Sequence, residues 1–315
     1  MNGVRIINLK SKEHVSEPKT MGHKVFYAVL VIILTLFSIA MIFPYLNVVA
    51  KAFNEGYDTM QGNITIYPRV PTLQNFLTLF NNDLIIHSGF ISISRVIIGT
   101  LLALIVQFSA AYAIKKKNLK GKEAILVFLM IPMFFGGGLI PVYILYSKIH
   151  LLNNFLVYVL PGAFSLFNMV IIRTYLSTIP DSFEESATID GANEITIMFR
   201  IMIPLSMPIL ATIALWTLVG HWNDWVTTLY FITKTKLYTM QYVLMRILRE
   251  HEEIQKMIQE SIMLGQAVKE GTGTKATQQS IQAAQIVLTT IPIIITYPFL
   301  QKYFIKGVML GAIKE

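Results

Sequence analysis

The sequence predicts an all-α membrane protein that crosses the bilayer about six times and carries a helical loop between its fourth and fifth spans. The first observation is hydropathy, because six apolar segments are each about 20 residues or longer, enough to cross a hydrocarbon core of about 30 Å. The second is composition: 54% of the residues are hydrophobic and only 14% are charged, too few to cover a water-soluble surface. The third is the concentration of lysines in alternate connections, as in membrane proteins generally.

The six predicted spans must be helical, because lipid offers backbone amides no hydrogen-bond partner. The first span follows a polar leader, 1–24, and is too long for the apolar core of a cleaved signal, so we expect it to be retained. Prolines in several spans, and three glycines at 136–138, leave two interpretations open: kinked, closely packed helices or broken helices that line a pathway. The predicted spans are 25–50, 86–114, 124–146, 151–172, 201–220 and 281–304.

Lysines assign the connections to the two sides of the membrane. Those of the leader, and five more between positions 115 and 122, place both segments in the cytoplasm. An even number of spans then returns the carboxyl end to the cytoplasm, and residues 25–315 form one transmembrane domain. Two longer connections, 51–85 and 221–280, are expected outside. An amphipathic helix is predicted in the second from the spacing of Leu244, Ile247, Leu248, Ile254, Ile258 and Ile262.

Several classes of function are excluded by composition and motifs. The net charge of +8 is explained by lysines retained in cytoplasmic loops, so no nucleic-acid partner is predicted. The chain has no cysteine, which excludes disulfides, thiolate metal sites and thiol nucleophiles. It contains no phosphate-binding G-x-x-x-x-G-K-[ST] loop and no histidine pair at metal-ligand spacing. We therefore predict no enzymatic activity, no cofactor and no metal, and expect a partner or an ion gradient to supply energy.

The most informative pattern lies in a predicted cytoplasmic loop, 180–203. Ser182 followed by Glu185 has the spacing of a capping box and predicts a short helix from about Phe183. Gly191 suits the left-handed end of that helix, and Asn193 can cap a second one. The second helix is expected to present one apolar face before a proline leads into the next span, with Ile195, Met198, Phe199, Met202 and Pro204 in these positions.

This helix–turn–helix unit has side chains suited to a partner that transmits force. Small residues permit close approach, and carboxylates attract basic residues of another protein. For Glu185, a solvated capping role is the alternative. The small residues are Ser186, Ala187 and Ala192, and the carboxylates are those of Glu184, Glu185 and Asp190.

The same segment resembles the EAA motif of ABC importer permeases, with serine at position 186 in place of the first alanine. The resemblance rests on Glu185, Ser186, Ala187, Gly191, Ile201, Ile203 and Pro204. Further stretches are similar to the maltose-type, MalG-like carbohydrate permeases and, within them, to the branch serving complex oligosaccharides. These are AAYAI at 110–114, PMFFGGGLIP at 132–141, LPGAFSLFNMVIIRTYL at 160–176, WNDW at 222–225 and GVMLGAIKE at 307–315.

The resemblance implies a permease subunit that forms the translocation pathway and docks on a separate ATPase through the EAA loop. It implies four kinds of partner: a second homologous permease, two ATP-hydrolysing subunits, an extracytoplasmic sugar-binding protein and the surrounding lipid. In such systems the carboxyl tail also contacts the ATPase, which makes residues 311–315 a second docking candidate.

A second set of residues is a candidate for the substrate pathway. Tryptophans can stack on sugar rings or anchor helices at the membrane interface, and both interpretations stay open. Asn168 either bonds a neighbouring helix or faces the pathway. Arg95, toward the outer end of the second span, is expected to extend to the interface, with a pathway role as the alternative. The pathway candidates are Asn168, Trp216, Trp222, Asn223 and Trp225.

Two rival classes are weighed against this interpretation. A secondary transporter driven by an ion gradient would favour carboxylates inside the spans, and the six predicted segments contain none. A membrane-embedded hydrolase would need a nucleophile and a base buried together, and the predicted spans contain no carboxylate that could support a histidine in that role.

Overall fold

The computed structural model describes residues 21–263 and 277–312, and its regular structure within these ranges is helical. Fourteen α-helices are numbered here in chain order. They are α1 (Met21–Ala52), α2 (Gly56–Met60), α3 (Gln74–Phe80), α4 (Asp83–Lys115), α5 (Lys122–Phe134), α6 (Leu139–Lys148), α7 (Leu166–Leu176), α8 (Ser182–Ile189), α9 (Glu194–Ile197), α10 (Ile203–Leu205), α11 (Met207–Asn223), α12 (Val226–Phe231), α13 (Met240–Met263) and α14 (Gln278–Ala312). Short 3₁₀ turns lie at Phe155–Tyr158 and Thr235–Leu237, and a π turn, Met198–Met202, joins α9 to α10.

The predicted all-α, polytopic architecture is confirmed. Among the described residues, α1, α4 and the Gln278–Thr296 part of α14 are each long and apolar enough to cross a membrane. Two bent pairs raise the number of spans to as many as five, against about six predicted: α5 with α6, and α9–α10 with α11. The amphipathic helix predicted in the second external connection is confirmed as α13. The sequence GTGTKAT at 271–277 is typical of a flexible joint, but only Thr277 of it lies within the described residues, and most of the leader lies outside them.

The third predicted span is interrupted, in agreement with the prediction of broken helices; that these helices line a pathway stays a prediction. Helix α5 ends at Phe134 and α6 begins at Leu139, and the two axes meet at 115°. The glycines at 136–138 form the connection. The fifth predicted span is also bent, by 83° at Ser206, so its straight part begins at Met207 and not at position 201.

The prediction of one continuous helix over the fourth span, 151–172, is wrong. The segment begins with a 3₁₀ turn at Phe155–Tyr158, and α7 starts only at Leu166. Pro161 has no amide hydrogen, so it cannot donate the backbone hydrogen bond that a helix continuing through this position would need. Ser165 then caps α7 by accepting from the Asn168 amide at 3.4 Å. At 11 residues, α7 is about 17 Å long, too short to cross the bilayer by itself.

Helix α4 organises the structure because it packs against both α7 and α11 and reaches both ends of the molecule. Near its carboxyl end, Phe108 belongs to a core with side chains of α7, α8, α11 and the π turn. Near its amino end, Ile85 belongs to a second core with α3, α13 and α14. The two residues are 23 positions apart, about 35 Å along the helix. A rigid α4 therefore connects the predicted cytoplasmic loop with the opposite end.

Candidate coupling surface and membrane cavity

The turn of the predicted EAA loop is built on Gly191. This residue has φ +81°, and its amide donates to Thr188 O at 3.0 Å while the Ala192 amide donates to Ala187 O at 2.9 Å. These two bonds are the pair that closes a helix in a Schellman motif. Asn193 accepts from the Thr196 amide at 2.8 Å and begins α9. The helix end at Gly191 and the Asn193 cap are thus confirmed. Below, residues 180–203 are called the coupling unit.

Two local predictions for the coupling unit are wrong. The capping box is absent, because α8 is preceded by Asp181 and its carboxylate is drawn to Lys117 at 3.0 Å. The apolar face of the second helix is also different. Ile197 and Met202 are the buried residues, whereas Ile195 and Phe199 are exposed. The cause is the π turn Met198–Met202, which places residues five positions apart on the same side of the helix.

The coupling unit is tied to the end of α4 by ion pairs. Glu184 accepts from Lys115 at 2.5 Å and from Lys116 at 2.6 Å, and its side chain is only 13% exposed. Lys116 also pairs with Glu194 at 2.8 Å, and Tyr112 donates to the same carboxylate at 2.7 Å. Both helices of the unit are therefore bound to the same turn of α4. The Glu184 carboxylate, predicted to meet a partner, is already paired within the chain.

The pKa values of these groups reflect the pairing. Burial alone would raise the pKa of Glu184, but hydrogen bonds from Lys115 and Lys116 outweigh it and the pKa is lowered. Hydrogen bonds from Lys116 and Tyr112 lower the pKa of Glu194, and Lys117 lowers that of Asp181. For Lys116, burial acts to lower the pKa, but the bonds to Glu184 and Glu194 prevail and raise it. These carboxylates therefore remain charged at neutral pH.

We predict that Glu184→Gln destabilises the protein by about 1–3 kcal/mol, because Lys115, 9% exposed, loses its short ionic partner. Thermal unfolding in detergent measures the change. Because the carboxyl pKa values are lowered in the folded protein, their contribution is present above the ordinary glutamate pKa of 4.5 and is lost as pH falls below it. The wild type should therefore lose stability in acid more steeply than Glu184→Gln. Glu185→Gln, an exposed change on the same helix, is the control and should shift stability by less than about 0.5 kcal/mol.

The remaining predicted contact residues differ in their exposure. Ala187 is buried in the chain's own core, and Ala192 packs against that core. Glu185, Ser186 and Asp190 are exposed, so they are free to meet another protein. Pro204 lies in α10, where the chain turns toward α11.

An apolar patch on the coupling unit was missed by the sequence reasoning. Ile189 is 85% exposed, Ile195 68% and Phe183 47%. Three large apolar side chains on a loop rich in carboxylates are typical of a protein contact surface. The sequence indicates this patch only indirectly, because the coupling unit contains more large apolar residues than a single buried helix face can use.

A cavity of about 440 Å³ lies between α4, α7 and α11. Two predicted pathway residues, Asn168 and Trp216, line it. The other three lie outside it. Trp222 is buried and donates to Thr289 O of α14 at 2.9 Å, and Trp225 packs against the Arg249 guanidinium. Asn223 is exposed and accepts from Gln241 at 3.4 Å.

Arg95 also lines this cavity, and the expectation that it extends to the interface is wrong. Its side chain is 3% exposed and forms an ion pair with Asp224 just after α11. It donates to Asp224 O at 2.8 Å and lies over the Tyr158 ring at 4.7 Å. The His221 ring beside it fills the space next to Gly99, where an added Cβ would lie 2.5 Å from Nε2. The described residues contain no cluster of side chains able to hold a metal ion.

Comparison with known proteins gives consistent matches over most of the chain. The family described as binding-protein-dependent transport system inner membrane component matches residues 122–310. The polygalacturonan/rhamnogalacturonan transport system permease protein YtcP of Bacillus subtilis is 31% identical over 93% of this chain and 100% of that protein. The trehalose/maltose transport system permease protein MalG of Thermococcus litoralis is 25% identical, covering 89% of this chain and 94% of its own.

A solved structure has the same fold. It is a chain of a bacterial ABC transporter involved in the import of the acidic polysaccharide alginate. The TM-score is 0.81 at 25% identity, and the match covers 92% of this chain and 100% of the other.

Proposed function

Because the chain belongs to the family of binding-protein-dependent transport system inner membrane components, we propose that it is a permease subunit of an ATP-driven importer of a carbohydrate, and that this carbohydrate is an oligosaccharide. The names of its relatives support the substrate class, since YtcP, MalG and the structural neighbour all serve oligo- or polysaccharides. The chain forms one half of the translocation pathway, and a second homologous permease forms the other. The family is one of transport components, not of enzymes.

The observation that carries the coupling proposal is the surface of the coupling unit. Its exposed face combines the apolar side chains of Phe183, Ile189 and Ile195 with the free carboxylates of Glu185 and Asp190. Such a face suits a cleft with an apolar floor and basic rim on an ATPase subunit. On the opposite face, Glu184 and Ala187 fasten the unit to α4 and the core. Glu184 is therefore a positioning residue, and force applied to the exposed face is passed to α4.

The ion pairs also support the proposed orientation. Lys115, Lys116 and Lys117 contact the coupling unit directly, so the lysine-rich loop and the unit lie on the same side of the membrane. The positive-inside rule assigns that side to the cytoplasm. The two termini are proposed to lie there as well. The carboxyl tail at 311–315 is kept as a second docking candidate, although residues 313–315 lie outside the described part of the chain.

For the pathway, the cavity beside Asn168 and Trp216 is the candidate segment within this chain. Trp222, Asn223 and Trp225 hold α11 and α13 in place at the external end. We propose that they shape the pathway without contacting the substrate.

The energy source is tested by reconstituting this chain with its partner permease, ATPase subunits and binding protein in proteoliposomes. We expect saccharide uptake that requires ATP inside the vesicles and persists when proton and sodium gradients are removed by ionophores. Uptake driven by an ion gradient without ATP would instead establish the rival secondary transporter. The ATPase subunit carrying a substitution in its catalytic carboxylate provides the control, and should give no uptake.

A further inference from the structure

The cavity between α4, α7 and α11 has the size and lining of a small-ligand site. Its volume of about 440 Å³ lies within the range of about 300–1,000 Å³ that such sites occupy. Trp216 is 46% exposed and stacks on Phe167 with ring centroids 6.3 Å apart, forming a flat aromatic surface at the cavity edge. Asn168, Ser165 and Thr217 add polar groups around it.

Three residues that line this cavity each carry a buried polar atom with no partner in the described part of the chain. The atoms are Arg95 Nε, Gln107 Oε1 and His221 Nε2. Gln107 is 1% exposed, and its Nε2 is occupied by Ala163 O at 3.4 Å, so the free atom is the acceptor. Arg95 supplies a free donor, and a neutral imidazole nitrogen donates or accepts according to its tautomer. A ligand with both donors and acceptors matches this mixture of unpartnered groups.

The charged groups that line the cavity favour an uncharged ligand over an anionic one. Arg95 is neutralised by Asp224, whose carboxylate is held by the Thr227 amide at 3.1 Å and by the Thr227 hydroxyl at 2.5 Å. A carboxylate ligand offers acceptors alone, and it would face the Asp224 carboxylate and Gln107 Oε1. A hydroxyl both donates and accepts, so it can bond to Arg95 Nε and to Gln107 Oε1.

Building on the proposed function, we propose that this cavity binds an uncharged, hydroxyl-rich pyranose unit of the transported saccharide. Gln107 and Arg95 hydrogen-bond to its hydroxyls, and Trp216 stacks on the apolar face of the ring. The substrate class at this site thus differs from the acidic polysaccharide named for the structural neighbour.

The test is calorimetric titration of the purified complex of permeases and ATPase subunits, without the binding protein. The probes are three neutral trisaccharides (maltotriose, galactotriose and xylotriose) and the acidic trigalacturonate. At least one neutral probe should bind with a Kd at least about tenfold below that of trigalacturonate. Gln107→Leu and Trp216→Ala should each weaken that binding by roughly tenfold. Failure of all three neutral probes, tighter binding of trigalacturonate, or unchanged affinity in Gln107→Leu would overturn the proposal.

A matched control is available in α14. Gln285 is 0% exposed, its side-chain nitrogen and oxygen are also without partners among the described residues, and it does not line the cavity. Gln285→Leu should leave saccharide affinity unchanged, and an equal loss there would mean that the effect of Gln107→Leu is structural. ATP-driven uptake separates the two proposals. If uptake occurs but the titration fails, the cavity assignment alone is wrong, whereas absent uptake would refute the proposed function itself.

Discussion

Gly191→Val is expected to abolish saccharide uptake while the protein still reaches the membrane. Gly191 holds φ +81°, where a β-branched residue is strained by about 1–3 kcal/mol. No atom lies within 4 Å of the position that a Cβ would take, so the effect arises from the backbone and not from a collision. The turn relaxes, and the angle between α8 and the following helix changes. The exposed face then no longer fits its partner, and uptake in proteoliposomes measures the loss.

Two controls separate coupling from general damage. Gly191→Asn should retain most uptake, because asparagine tolerates the left-handed region. Gly62→Val places the same residue at φ +78°, again with open space around it, in the connection between α2 and α3 and outside the coupling unit. It should assemble and transport normally. Normal uptake by Gly191→Val, or an equal loss in Gly62→Val, would remove Gly191 from the mechanism.

Asp224→Asn is expected to destabilise the protein by about 3–5 kcal/mol, because it leaves a buried guanidinium without its counter-charge. Arg95 is 3% exposed, and its Nε is without a partner in the described part of the chain, so the lost carboxylate is not replaced. The ion pair joins α4 to the end of α11, two helices that line the cavity. Thermal unfolding of the detergent-solubilised protein measures the change.

The double variant Arg95→Met with Asp224→Asn should recover a large part of the lost stability, since no unpaired charge remains. A surface pair provides the comparison. Arg69 and Asp58 lie 3.1 Å apart, but Arg69 is 42% exposed, so Asp58→Asn should lower the unfolding temperature far less than Asp224→Asn does. Similar losses in Asp58→Asn and Asp224→Asn would show that burial of Arg95 is not what makes its pair important.

Local features of the fold could be predicted from the sequence because their causes lie within a few residues. Gly191 and Asn193 terminate and begin helices through bonds to residues three to five positions away. The long apolar runs of α1 and α4 likewise need no distant partner to be recognised. For the same reason the coupling unit was recognisable as two short helices around a turn.

Features that depend on distant contacts could not be predicted. Arg95 and Asp224 are 129 positions apart, and Lys115 and Glu184 are 69 apart, so neither pair leaves a local pattern. Arg95 was expected to extend to the membrane interface, but it pairs with Asp224 instead. Glu184 was expected to contact a partner protein, but it pairs with Lys115 within the chain. The π turn Met198–Met202 similarly moved Met202 and Ile197 onto one buried face, which a helical period of 3.6 does not anticipate.

The exposed face of the coupling unit is proposed to contact a separate ATPase subunit in the cytoplasm. The chain has no native cysteine, so Ile189→Cys, at a position 85% exposed, introduces a single attachment point for a benzophenone photo-cross-linker. Tyr67, which is 67% exposed, lies in the connection predicted to be external, and Tyr67→Cys is the matched control. We predict that illumination of the assembled complex joins the probe at position 189 to the ATPase subunit, whereas the probe at position 67 gives no such product. Absence of that product, with labelling of position 189 by a membrane-impermeant maleimide from outside intact cells, would contradict the account.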